Sequence, residues 1–206
     1  MSHWYEPSYS RALNSLTAGI KPIVGLYNWD MPRDVLRDYD GWRNNRIYSG
    51  RDAFVHYAKN CFESFGDIVA DWVTFQEPQR ELIQSYENNA APPLSPINIP
   101  GKQVYENAKN MILAHAEAVQ EYRNLKLNGR IGIALSTDFA LPFDELLESD
   151  VIAAERANIF HIDWLLNPLL TGDWPTEMKD AAGSRLPGFT KTEELKAGYL
   201  VFAKVL

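Results

Sequence analysis

The chain has one cysteine, Cys61, so no intramolecular disulfide can form and a disulfide-built scaffold is excluded. It has no basic run, and 20 Lys+Arg against 27 Asp+Glu leave a net charge of −7. That balance argues against nucleic acid or an anionic membrane as partner. No apolar run approaches the roughly 20 residues that cross a bilayer. The opening MSHWYEPSYSRALNS lacks the apolar stretch of a signal peptide, and no Asn-x-Ser/Thr sequon occurs. Compartment is left open. No Gly-rich phosphate loop follows an apolar run, because Gly129-Arg130-Ile131-Gly132 precedes one. His3, His56, His115 and His161 share no metal-ligand spacing, and no cofactor motif is present, so neither a metal nor a cofactor is expected.

What remains is an ordinary globular composition with many aromatics. Hydrophobic residues make up 46% and charged residues 23%, enough apolar surface for a real core in one domain. The 6 Trp and 10 Tyr serve core packing first, and can also offer a stacking face to something flat such as a sugar.

Helical and strand-like periods alternate along the sequence. Residues 5–18 carry Tyr9, Leu13 and Leu16 at helical spacing and stop at Gly19. The run Ile23-Val24-Gly25-Leu26-Tyr27 then predicts a buried strand ending in Asn28-Trp29-Asp30, followed by a polar loop to about residue 50. Phe54, Tyr57, Ala58, Cys61, Phe62 and Phe65 mark an amphipathic helix closed by Gly66. Trp72-Val73-Thr74-Phe75 leads into Gln76-Glu77-Pro78. After a Pro- and Asn-rich loop at 88–101, a stripe from Val104 to Tyr122 predicts a long helix, with His115 a core histidine on it. Ile131-Gly132-Ile133-Ala134-Leu135 ends in Ser136-Thr137-Asp138, and helical patterns follow at 150–166 and 176–182. Strands alternating with helices imply parallel crossover units, hence an α/β architecture. Strands are expected near 22–27, 71–76 and 131–136, fewer than the eight of a closed barrel.

Glu77 stands out by position, directly after an apolar strand and before Pro78, which restricts its backbone. A carboxylate at a strand end flanked by aromatics is a candidate acid. The segments around it carry a resemblance. Trp72-Val73-Thr74-Phe75-Gln76-Glu77-Pro78 resembles the Thr-Phe-Asn-Glu-Pro segment of family 1 glycoside hydrolases, the β-glucosidase family. Leu26-Tyr27-Asn28-Trp29-Asp30-Met31-Pro32 resembles that family's Leu-Tyr-His-Trp-Asp-Leu-Pro loop, and Gly41-Trp42 its Gly-Gly-Trp turn. Leu113-Ala114-His115-Ala116, Ile131-Gly132-Ile133 and Pro168-Leu169-Leu170-Thr171-Gly172-Asp173-Trp174-Pro175 match later segments in order.

The resemblance implies a (β/α)₈ TIM barrel that cleaves O-linked β-glycosides with retention, using an acid/base and a nucleophile about 5–5.5 Å apart. Glu77 would be the acid/base. Gln76, Asn28 and Trp29 would bind the sugar. Asn28 stands where the family has His, and Gln76 where it has Asn, which moves the amide by about 1.3 Å or forces a new rotamer. A thioglucosidase of the plant-defence type replaces the acid/base Glu by Gln; Glu77 is retained here, which favours O-glycosides. The family's nucleophile motif, Thr-Glu-Asn-Gly, does not occur in the 206 residues. Residues 1–206 are therefore expected to form a single, incomplete α/β barrel domain with parallel strands, covering about the third to fifth βα units. Asp138 and Asp30 are the weak candidates for a substitute carboxylate. The other expectation is a catalytically inactive partial barrel that binds sugar or protein at most, and self-associates through its open sheet edges.

Overall fold

The computed structural model describes residues 14–43, 49–92 and 99–200. Within them, three strands form a single sheet in the order β1-β2-β3: β1 (Ile23–Tyr27), β2 (Asp71–Gln76) and β3 (Arg130–Ala134). Both pairs are parallel, with Tyr27 opposite Phe75 and Trp72 opposite Ile131. The expected strands thus form, and each pair is joined by a helical crossover, as parallel neighbours require. The expected first helix falls mostly outside the described residues, with only 14–17 helical within them.

Helix α1 (Arg33–Tyr39) and a tight turn at Gly41–Arg43 follow β1, inside the stretch expected to be loop. α1 buries none of its residues, so it carries no apolar stripe that periodicity could reveal. α2 (Gly50–Phe65) opens with a capping box: Ser49 accepts from the Asp52 amide, and the Asp52 carboxylate accepts from the Ser49 amide at 2.8 Å. Of its expected stripe, Phe54, Ala58, Cys61 and Phe62 are buried, whereas Tyr57 is 40% exposed.

α3 (Pro78–Glu81) runs on into a wider turn at Leu82–Glu87. α4 (Gln103–Asn124) is the central helix, with Val104, Ala108, Met111, Ile112, His115, Val119 and Tyr122 all buried. α5 (Glu148–Asn158) continues through a wide turn at Ile159–Asp163 into α6 (Trp164–Thr171). α7 (Thr176–Ala182) and α8 (Lys191–Leu200) complete the described chain. None of these helices is long and apolar enough to cross a membrane.

The sheet packs its aromatics toward the helices. Phe75 stacks on Phe54 of α2 at 4.5 Å between ring centroids, and Trp72 meets Phe62 edge-on at 5.1 Å. Each such pair is worth about 0.5–1.5 kcal/mol beyond its area burial. The register slips between Val73 and Gln76, where β2 advances three residues against two on β3. This bulge lets Thr74 and Phe75 both face helices, Thr74 against His115 of α4 and Phe75 against Phe54. Val73 and Gln76 are left for the opposite face. That face is partly open: Ile23 is 59% exposed, while Val73 is 6% exposed.

Candidate functional site at the strand ends

Glu77 leaves β2 in the left-handed conformation, φ 50° and ψ 46°, and serves as the residue that caps α3. A residue before proline ordinarily prefers extended backbone, so the expected restriction by Pro78 is overridden. The exit of β3 holds it there. The Glu77 amide donates to the Ala134 carbonyl at 2.9 Å, one step beyond the β2–β3 ladder. The Gln79 amide, buried in the first turn of α3, donates to the Ser136 carbonyl. The Glu77 side chain is 43% exposed, and Arg80 lies 3.4 Å from its carboxylate.

Asn28 follows the last residue of β1, so it stands at the same sheet edge as Gln76, the last residue of β2. Asn28 is exposed and Trp29 half-buried. Trp29 is also left-handed, φ 69°, and its indole N–H donates to the Pro92 carbonyl. Ser85, in the wide turn after α3, donates to that same carbonyl at 2.8 Å. Gln76 is half-buried, and its amide occupies the space where a side chain on Gly25 would begin: a Cβ there would fall 2.4 Å from Nε2. The extra methylene of Gln76 is thus accommodated by folding its amide across β1.

Beneath the rim lies a buried polar cluster that sequence reasoning missed. The Tyr27 hydroxyl donates to the Glu81 carboxyl at 2.7 Å, and the Trp42 indole N–H reaches the Tyr27 oxygen at 3.4 Å. Glu81 is 2% exposed, and burial pushes its carboxyl up to about 8, against the lowering effect of the Tyr27 and Trp42 hydrogen bonds. Burial and the facing Glu81 carboxylate likewise hold the Tyr27 phenol far above its ordinary range. The available signal was helical spacing: Glu81 sits beside Leu82 and four residues before Ser85, on the face that α3 and its wide turn bury.

The remaining candidates stay outside this group. His115 is buried against Thr74, whose hydroxyl lies 2.7 Å from Nδ1 and donates to the Gly132 carbonyl at 3.1 Å. Because the threonine gives its one proton to Gly132, Nδ1–H donates to the threonine oxygen. Burial lowers the His115 pKa to about 4, as befits a core histidine. Cys61 is buried, and burial pushes its thiol up to about 11, which suits packing rather than nucleophilic chemistry. Asp30 and Asp138 are exposed in the loops after β1 and β3.

Parallel strands with helical crossovers, and polar residues gathered where the strands end, define part of a (β/α)₈ barrel. The sequence profile described as "Glycosyl hydrolase family 1" matches residues 8–200. Beta-glucosidase 32 of Arabidopsis thaliana is 39% identical over 189 residues, covering 86% of this chain and 35% of its own length. The rice Os3BGlu6 β-glucosidase superposes with a TM-score of 0.86 at 34% identity, covering 94% of this chain and 42% of its own. Aphid myrosinase superposes with a TM-score of 0.83 at 32% identity, covering 93% and 43%. The chain belongs to glycosyl hydrolase family 1, and spans well under half the length of these relatives.

Proposed function

We propose that these residues are the acid/base side of a retaining β-glycosidase acting on O-linked β-glucosides. Glu77 protonates the departing glycosidic oxygen and later deprotonates the attacking water. Gln76, Asn28 and Trp29 bind the sugar. The observation that carries this reading is the Glu77 backbone, held left-handed at the end of β2 by the exit of β3. Strained backbone held by its surroundings is characteristic of residues whose position matters more than their comfort. The β-glucosidase names of the relatives support the substrate class. The rice relative, with one glutamate changed to glutamine, was captured in a covalent complex with Glc, in keeping with a glycosyl-enzyme intermediate.

The 206 residues supply the acid and not the covalent partner, so turnover belongs to a barrel that has both. The test is a chimera joining this chain to the remaining strands of the rice β-glucosidase. It should hydrolyse an alkyl β-glucoside, whose leaving oxygen needs a proton, and Glu77→Gln should abolish that activity about 10²–10⁴-fold. A dinitrophenyl glucoside, whose leaving group needs no proton, should lose far less in its first step. Equal losses on both substrates would remove Glu77 from the acid role.

A second reading has its own observation. Phe139 at 71%, Leu141 at 75%, Phe143 at 100% and Leu146 at 97% exposure follow β3 in the chain. A surface of that kind favours association. In this reading the chain alone is catalytically silent and self-associates, which sedimentation over a concentration series would detect as a rising mass.

A further inference from the structure

We propose that Glu81 is a positioning residue of the rim: its buried carboxyl group, engaged by Tyr27 and Trp42, holds the Asn28–Trp29 turn against the helix that Glu77 begins. The functional meaning of this role rests on the reading of Glu77 given above; the attachment itself does not.

Three residues spaced by four organise the contact. Glu77 caps α3, Glu81 ends it, and Ser85 lies in the wide turn beyond. Glu81 receives the Tyr27 hydroxyl at 2.7 Å, immediately before Asn28 in sequence. Ser85 shares the Pro92 carbonyl with the Trp29 indole, on the far side of the same turn. The turn is therefore tied to this stretch at both ends, directly through Glu81 and by way of the Pro92 carbonyl that Ser85 also holds. Trp29 needs such pins, because its left-handed backbone is unfavourable for a bulky residue and persists only when its surroundings impose it.

The environment of the carboxyl makes the pin sensitive to protons. Facing it are Tyr27 from β1, Trp42 from the turn at Gly41–Arg43, and Tyr86 from the wide turn, itself acted on by Arg43 and Asp40. When the rim opens, Glu81 meets water and titrates as an ordinary carboxyl; closed, it holds its proton to about 8. Raising the pH from 5 to 8 therefore favours opening, by proton linkage.

The test uses the 206-residue chain and no substrate. Solvent exchange of the Trp29 indole N–H, assigned by its absence in Trp29→Phe, reports the turn. Backbone amides of Met111 and Ile112 in α4 report the core. Expected in Glu81→Ala and in Tyr27→Phe is Trp29 exchange at least 10-fold faster, with a smaller change in the α4 amides. The double variant should be no faster than either single one. Glu81→Gln, which keeps an acceptor oxygen, should restore slow exchange and remove the loss of protection between pH 5 and 8. Additive effects in the double variant, equal acceleration in α4, or unchanged Trp29 exchange would each overturn the proposal. An inactive chimera with intact coupling would instead count against the role of Glu77 alone.

Discussion

Gln76 lies across Gly25, its amide nitrogen within 2.4 Å of where a Cβ on the glycine would stand. The two residues fit only as a pair: the longer amide uses space that exists because the facing strand has no side chain there. Gly25→Ala should cost less than about 1 kcal/mol, because the atom displaced is the end of a flexible side chain, yet it should drive the Gln76 amide to a new rotamer. In a Gln76→Asn background the same Gly25→Ala change should cost nothing, since the shorter side chain does not reach. Thermal unfolding of the four variants measures the coupling. Equal costs in both backgrounds would dissociate the pair.

The pH dependence of stability should show two opposed slopes. Glu81 has its proton affinity raised by folding, so its contribution is full below about 4.5 and is lost as pH rises through about 8. His115 has its affinity lowered, so its contribution is full above about 6.5 and is lost as pH falls toward about 4. The two effects offset between about 4.5 and 6.5. From about 6.5 to 8 Glu81 acts alone, and unfolding free energy should fall by on the order of 2 kcal/mol. Glu81→Gln should abolish that alkaline fall and uncover the acid one due to His115. Denaturant titrations at intervals between pH 4 and 9 check both. An alkaline fall that survives Glu81→Gln would assign it to another group.

The parallel strands, the long central helix and the buried stripe of α2 were legible because each has a periodic apolar pattern. Ile23–Tyr27 and Arg130–Ala134 differ from the expected strands by no more than two residues at either end. Helices α1, α3 and α8 were missed. α1 has no buried residue and hence no stripe, while in α3 Pro78 read as the end of a strand when it also suits the first position of a helix. At the rim, Asn28, Gln76 and Glu77 were legible by resemblance and by their place after strands. The fold of the Gln76 amide, the left-handed turn at Glu77 and the burial of Glu81 depend on what neighbouring strands present, which no local pattern carries.

Gly129 sets a tighter limit than Gly25. A Cβ there would come within 1.9 Å of the Ala70 carbonyl oxygen, just where Arg130 begins β3 and its amide bonds the same carbonyl at 2.9 Å. Backbone cannot step aside as a Gln side chain can. Gly129→Ala should therefore destabilise by about 1–3 kcal/mol and weaken the β2–β3 pairing first. Hydrogen exchange should show Ile131 and Ile133 losing protection ahead of α4. A neutral Gly129→Ala would mean the turn can be rebuilt without loss.

Glu77 itself should be a place where stability is sacrificed. At an ordinary helical position glycine is about 1 kcal/mol worse than alanine. Glu77 has φ 50°, where a Cβ costs about 1–2 kcal/mol and glycine costs nothing. The ranking should invert: Glu77→Gly should be more stable than Glu77→Ala by about 1 kcal/mol. The side chain offers little to offset this, being 43% exposed and paired with Arg80, and an exposed pair of that kind is worth about 0–1 kcal/mol. Glu77→Gly should therefore equal or exceed the parent chain in stability while the chimera that bears it loses activity on alkyl glucosides. Urea unfolding of the two variants decides the ranking. Alanine equal to glycine would show that the left-handed turn relaxes once the carboxyl group is gone, so that the glutamate and not the neighbouring β3 exit imposes it.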